Sequence, residues 1–290
     1  MFFPVPCPAN CISWALHWKV TIHPILFKIG PLTVHTYGAL YALGILAAII
    51  LSDYLFKRDG GKAGVITDIA FPVVIGVLIG ARGLFIFVER EYYFRHPAEI
   101  PMIWNGGLVF YGGLIGGILA FIIMTRLKKI ELWRLADTVA PGIALGHGIG
   151  RIGCLFAGSC YGRPTDVPWA VTYTDLRSLA VDILGIPVHP TQLYSSLFLL
   201  ALSAILVLKS RRPSFKGQVF TIYLIAYGTF RFAVEFLRGD PRGEATLLGV
   251  TLSTSQWISM ILVPLAITAY LYLFRKGGTV HGSGEVLLQN

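Results

Sequence analysis

Two basic side chains, His147 and Arg151, sit four residues apart inside an apolar run laced with glycine at positions 146, 148, 150 and 153. On a helix that spacing puts both on one face. A guanidinium in such surroundings costs several kcal/mol, on the order of 3 by insertion scales, unless something anionic meets it. A second set repeats the pattern: Tyr227, Arg231 and Glu235 follow one another at four-residue intervals, and Arg238 returns to the same stripe. Arg82 is a third arginine within apolar sequence. Guanidinium forks match phosphate oxygens bidentately, so arginines at similar depth point to a shared anionic ligand. A histidine beside a cation-held phosphate is placed to take a proton from a nucleophile. Plainer accounts of the same residues are an Arg231/Glu235 ion pair tying helices together, a histidine bonded to a neighbouring helix, and arginines snorkelling from helix ends.

The elements that position these groups are membrane spans. The chain has 290 residues, of which 55% are hydrophobic and only 13% charged. Mean hydropathy is +0.68, which excludes an ordinary soluble domain and indicates an all-α polytopic membrane protein. The net charge of +9 falls in short loops, where it acts as a topology signal and not as a nucleic-acid footprint. The cysteine pairs Cys7/Cys11 and Cys154/Cys160 lack a neighbouring His or carboxylate to complete a metal set, so no metal is expected. Whether Cys154/Cys160 pair as a disulfide or pack as small residues stays open. Gly148-x-Gly150-x-x-Gly153 matches a dinucleotide fingerprint in form only, because no strand precedes it, and no cofactor is expected. The first twenty residues, with Pro4, Pro6 and Pro8, do not read as a cleaved signal peptide.

Hydropathy predicts seven transmembrane helices in a single integral membrane domain, at about 32–56, 66–88, 106–124, 135–156, 191–208, 218–237 and 255–274. Residues 20–31 are too short and Pro-broken to span and read as an interfacial or re-entrant segment. Glycine pairs at 106/107, 112/113 and 116/117 predict that the third helix is central, because small residues let backbones approach. The aromatic and charged stretch 89–105 suits an interfacial arm, and the prolines of the long polar connection 157–190 rule out another span. Lys57, Arg58, Lys62, Arg126, Lys128, Lys129, Arg134, Lys209, Arg211, Arg212, Lys216, Arg275 and Lys276 gather on one side. The positive-inside rule makes that side cytoplasmic, with the N-terminus periplasmic and the C-terminus cytoplasmic. Arg82, Arg151 and Arg231 then all lie in the outer half of the membrane.

Several segments together resemble the prolipoprotein diacylglyceryl transferase family: His35-Thr36-Tyr37-Gly38, the run from Gly106 to Gly116, Gly150-Arg151-Ile152-Gly153 with Gly162, His189-Pro190-Thr191-Gln192-Leu193-Tyr194, and Tyr227-Gly228-Thr229-Phe230-Arg231 followed by Val234-Glu235-Phe236-Leu237-Arg238. The resemblance runs in order from about residue 22 to 275. It implies a multi-pass enzyme of the bacterial plasma (inner) membrane, with a small periplasmic head that falls at 157–190 and two partners, phosphatidylglycerol and a prolipoprotein signal peptide. Such an enzyme moves diacylglycerol to the lipobox cysteine thiol and releases glycerol phosphate. The family arginines fall on Arg151 and Arg231, with Tyr37, Tyr227, His35 and Gly162 at motif positions.

The reaction needs a thiolate and positive charge on the departing phosphate. Arg151 and Arg231 are assigned to the lipid phosphate, supported by Tyr227 and Glu235, with Arg82 and Arg238 in headgroup or gate roles. Where studied members of the family carry histidine in the third-span motif, this chain has Tyr111. Cys154 and Ser159 stand at the signature's Asn and Glu positions. The expectation is that Tyr111 lies close to the arginines and positions thiol or lipid, while His147 substitutes as proton acceptor. Rival readings are an anion or lipid transporter, which would call for inverted repeats and helices broken at the midplane, and a scaffold that binds anionic lipid without turnover.

Overall fold

The apolar stretches fold into long helices joined by short basic turns, as seen in a computed structural model that describes residues 18–20, 25–29, 32–102, 106–240, 243–247 and 249–276. The Cys7/Cys11 pair and the Pro-rich start lie outside the described residues. In chain order the elements are β1 (Trp18–Val20), β2 (Ile25–Ile29), β3 (Leu32–His35), α1 (Thr36–Arg58), α2 (Val65–Val88), α3 (Arg90–Arg95), α4 (Phe110–Leu127), α5 (Leu132–Ala157), β4 (Val171–Tyr173), β5 (Pro187–Val188), α6 (Thr191–Lys209), α7 (Gln218–Glu235), β6 (Glu244–Leu247), β7 (Val250–Ser253) and α8 (Thr254–Lys276). The molecule is mostly helical, and six helices (α1, α2, α4, α5, α6 and α8) are long and apolar enough to cross a membrane. The 18 residues of α7 include Gln218, Arg231 and Glu235, and it falls outside that six.

The all-α expectation needs correction, because the described residues include three small sheets. The segment read as interfacial or re-entrant contributes β2, which pairs antiparallel with β3, so the first helix begins at Thr36 and not at residue 32. In the stretch read as the head, β4 pairs parallel with β1 and antiparallel with β5. Val171, Tyr173 and Val188 of this sheet are buried in one cluster with Leu155 of α5, Tyr161 and Ala180. The 89–105 stretch contains α3 and a single 3-10 turn at Pro97–Glu99. Gly106 and Gly107, read as the start of the third span, instead take positive φ (84° and 73°) ahead of α4.

The third-helix prediction is also corrected. The glycine stripe of α4 packs against Gly76 and Gly80 of α2 in one seam, and the central helix is α5, which packs against α1, α6 and α7. A small-residue stripe specifies close approach but not which partner approaches. The α1–α5 contact is closer than any side chain permits: a Cβ on Gly44 would stand 2.6 Å from the Gly146 carbonyl oxygen. Leucine, alanine and valine from α5, α6 and α7 (Ala140, Ala144, Leu202, Leu206 and Val219) bury together with Tyr223.

One interhelical contact sets the register that matters for the site. Asp137 of α5 accepts hydrogen bonds from the backbone N–H groups of Gly217 (2.6 Å) and Phe220 (2.8 Å), satisfying donors that the first turn of α7 leaves open. From Asp137 to His147 and from Gly217 to Tyr227 the separation is the same, so the helical rise of roughly 15 Å brings Tyr227 level with His147. Their rings meet edge to face with centroids 5.2 Å apart.

Candidate active site

His147 and Arg151 lie one turn apart on α5, and Arg151 Nε donates to His147 Nε2 at 3.1 Å. This bond places the imidazole proton on Nδ1 and commits the Nε2 lone pair to the cation. The Tyr227 hydroxyl of α7 is within hydrogen-bonding reach of the Arg151 guanidinium. The guanidinium of Arg231, one turn further along α7, is close enough to His147 for its charge, like that of Arg151, to act on the ring. The α5 and α7 arginines therefore converge on His147, as their matching spacings required.

Arg231 is held from two sides. Its Nη1 bonds the Glu235 carboxylate one turn on, and its Nη2 donates to Ser255 Oγ of α8 at 2.7 Å. The two charged side chains keep only 12% and 6% of their surface exposed. Ser255 carries no periodicity signal, since it belongs to another helix; only the packing of α7 on α8 reveals it.

At the end of α5 the chain turns through Gly158 (φ 72°) and Cys160 (φ 63°). Thr191 Oγ1 donates to the Cys160 carbonyl at 2.6 Å, and Gln192 Nε2 to that of Ser159 at 2.7 Å, so the start of α6 fixes this turn. Cys154 and Cys160 are not joined by a disulfide, and their thiols are hydrogen-bonded to each other. The bond from Cys154, helped by the positive charges of Arg238 and Arg151, holds the Cys160 thiol below the usual thiol range against the opposing effect of burial. Tyr37, in the first turn of α1, packs over Gly153 and faces Arg151 and both thiols.

Gly162 follows, bridged to Arg238. A Cβ there would lie 2.5 Å from both the Cβ and the carbonyl oxygen of His189, so no side chain fits. Arg238 is buried and paired with Asp240 through two bonds, Nε at 2.9 Å and Nη2 at 3.0 Å. It borders the thiol pair without an open fork.

Three residues singled out from sequence stand apart from this cluster. Arg82 is only 6% exposed and spends its donors on the backbone carbonyls of Glu99 (2.8 Å), Ile100 (3.0 Å), Gly106 (2.8 Å) and Gly107 (3.3 Å). It also lies over the rings of Tyr93 and Phe85. Its task is to hold the α3–α4 connection, not to present a fork to a headgroup. Arg82→Ala is accordingly expected to lower the local opening free energy of that connection by about 3 kcal/mol, the scale of a lost set of charged hydrogen bonds. Limited proteolysis between residues 90 and 107 measures this. Tyr111 opens α4, is 39% exposed and stacks edge-on with Phe110. Among the described residues no hydrogen bond, ion pair or ring contact joins it to Arg151 or Arg231. His35 is exposed at the end of β3, just before α1, and makes no side-chain cap bond.

This arrangement can bind and polarise an anion between two fixed guanidinium groups while keeping the Cys154 and Cys160 thiols beside it. The family model for prolipoprotein diacylglyceryl transferase matches residues 24–272, a range that contains every group of the cluster. The phosphatidylglycerol–prolipoprotein diacylglyceryl transferase of Clostridium tetani is 39% identical over 254 residues, which cover 87% of this chain and 99% of that protein. The proteins of the same name from Bordetella avium (39% over 244 residues, 82% of this chain and 89% of that one) and Nostoc sp. (36% over 262 residues, 87% and 90%) are similar over a comparable extent. With matches of this length and identity, enclosing both arginine helices and the glycine-flanked turn between them, the chain belongs to the prolipoprotein diacylglyceryl transferase family.

Proposed function

We infer that this membrane protein transfers the diacylglyceryl group of phosphatidylglycerol to the lipobox cysteine thiol of a prolipoprotein. The substrate thiolate attacks the glyceryl carbon that bears the phosphate, a C–S bond forms, the C–O bond breaks, and glycerol phosphate departs. The observation that carries this reading, beside the family, is the convergence of Arg151 and Arg231 on His147. Two fixed cations stabilise the charge that grows on the departing phosphate, and in a dry site they are worth far more than in water. An anion transporter would need helices broken near the midplane, whereas α5 and α7 run unbroken through both arginines.

In this reading α7 is a seventh span: its 18 residues reach roughly 27 Å, and its polar groups turn toward α5 and α8 instead of lipid. The basic turns between helices favour a cytoplasmic C-terminus and a periplasmic N-terminus. Residues 157–190 then form the periplasmic head above the arginines, and the whole chain acts as one membrane domain.

From the sequence, His147 is expected to accept the proton. With Nε2 already accepting from Arg151, we assign His147 instead the task of orienting that guanidinium. His147→Gln, whose amide oxygen can accept the same bond, is expected to keep most of the transfer rate with an unchanged pH profile, and His147→Leu to lose about 10- to 100-fold, the size of one charged hydrogen bond. Purified protein is incubated with phosphatidylglycerol and a lipobox peptide, and the diacylglyceryl adduct is followed by mass spectrometry. If wild type forms no adduct where a related transferase does, the functional reading fails. If His147→Gln is as inactive as His147→Leu, the orienting role fails.

A further inference from the structure

We propose that the Ser255 hydroxyl donates a hydrogen bond to the lipid phosphate held by Arg231, an assignment that rests on the transferase reading above. Arg231 Nη2 lies 2.7 Å from Ser255 Oγ. A guanidinium carries donors only, so the serine oxygen must accept in this bond and its own O–H proton stays available. Among the described residues that proton has no acceptor. The usual outlet for a helical serine, the carbonyl three or four residues earlier, is closed here. Ser255 is the second residue of α8, and Thr251 and Leu252 belong to β7.

The start of α8 is fixed by bonds of its own. Ser253 N–H donates to Gln256 Oε1 at 3.0 Å and Gln256 N–H to Ser253 Oγ at 3.2 Å, a reciprocal cap on the first turn. Thr254 Oγ1 donates to the Gly243 carbonyl at 3.1 Å and Trp257 Nε1 to that of Ala245 at 3.0 Å, which ties the turn to the β6–β7 hairpin. The half-buried Ser255 is therefore in place before a ligand arrives, the condition under which one donor aimed at developing charge contributes most. Accepting from a cation also makes the hydroxyl a stronger donor, because bonds in a chain polarise one another.

Arg231 spends one hydrogen of Nη1 on Glu235 and one of Nη2 on Ser255. The second hydrogens of those nitrogens and the Nε hydrogen are left for a ligand. A phosphate that accepts from Nη2 shares this nitrogen with Ser255 Oγ, and bonds of about 2.8 Å from one nitrogen set the phosphate and the hydroxyl side by side. During transfer Ser255 keeps its proton. The substrate thiolate forms the C–S bond, the electron pair of the broken C–O bond stays on the phosphate, and Arg151, Arg231 and the Ser255 O–H meet the added charge.

The test uses full-length protein, the lipobox peptide and phosphatidylglycerol, either ordinary or with one non-bridging phosphate oxygen replaced by sulfur, each diastereomer separately. Ser255→Ala is expected to lower transfer from the ordinary lipid by about 10- to 100-fold, the size of one bond to a charged group. Ser255→Thr, which keeps the hydroxyl, is expected to stay within about threefold of wild type. Sulfur is the weaker acceptor, so wild type should discriminate between the diastereomers. Ser255→Ala should narrow that ratio by at least about threefold, because the sulfur then replaces an oxygen already deprived of its donor. A role confined to bracing Arg231 would slow both diastereomers alike. Near wild-type transfer by Ser255→Ala, a Ser255→Thr variant as slow as Ser255→Ala, or an unchanged diastereomer ratio overturns the proposal. If wild type forms no adduct, the transferase reading fails, and phosphatidylglycerol retained in native mass spectrometry decides the contact separately: weaker retention by Ser255→Ala supports it and equal retention overturns it.

Discussion

Arg151→Lys is expected to lower diacylglyceryl transfer by about 100- to 1000-fold, the scale of one fixed donor removed from developing charge. Lysine keeps the positive charge, so a site that needed only charge would tolerate it. Arg151 does more than supply charge. Its Nε is tied to His147 at 3.1 Å and the Tyr227 hydroxyl is in reach, which leaves the terminal nitrogens in a fixed fork toward the ligand. An ammonium on a flexible stem cannot bond His147 and present two parallel donors to a phosphate. The loss should fall mainly on the rate constant and less on lipid binding, because the phosphate gains charge as its C–O bond breaks. Single-turnover transfer measured against phosphatidylglycerol concentration separates the two, and a Lys variant within about threefold of wild type would leave Arg151 as a generic counter-charge.

The pairing of α5 with α7 was legible because each helix carries its chemistry at four-residue spacing, whereas the Asp137 bonds to the start of α7 that set its register carry no signal in the sequence. The long helices were legible from hydropathy, with ends displaced by a few residues where glycines at positive φ, such as Gly106 and Gly107, cut a span short. Other features carry no local signal. The head sheet joins Trp18 to Val171 and strands of two or three residues, a pairing set by distant packing. Arg82 was misread because its partners are backbone carbonyls, which every residue type supplies equally. The α4 glycines announced a close approach, yet α2 and α5 both offered complementary glycines, and sequence does not choose between them. Tyr111 followed from its motif position into a role that the α2–α4 packing does not serve. The thiol pair shows only as composition until the Gly158 turn folds Cys160 back onto Cys154.

Arg231 and Glu235 admit two accounts from sequence, a structural tie between helices or an arginine aimed at a ligand, and a pair of substitutions separates them. Glu235→Leu leaves a guanidinium that is 12% exposed without its counter-charge, with Ser255 Oγ as its remaining hydrogen-bond partner among the described residues. An uncompensated buried charge of this kind is expected to cost about 3–5 kcal/mol of stability. That loss appears as a lower thermal midpoint in detergent, and transfer falls with it. Arg231→Met combined with Glu235→Leu removes both charges and fills similar volume. Replacement of a buried pair by apolar side chains is commonly neutral or stabilising, so the double variant should regain the wild-type midpoint. Transfer should not return with it. If Arg231 meets the phosphate, the refolded double variant stays at least about 100-fold below wild type, because only one of the two cations remains on the leaving group. Were the double variant to recover transfer along with stability, the ion pair would be a tie between α7 and its neighbours, and Arg151 alone would carry the phosphate.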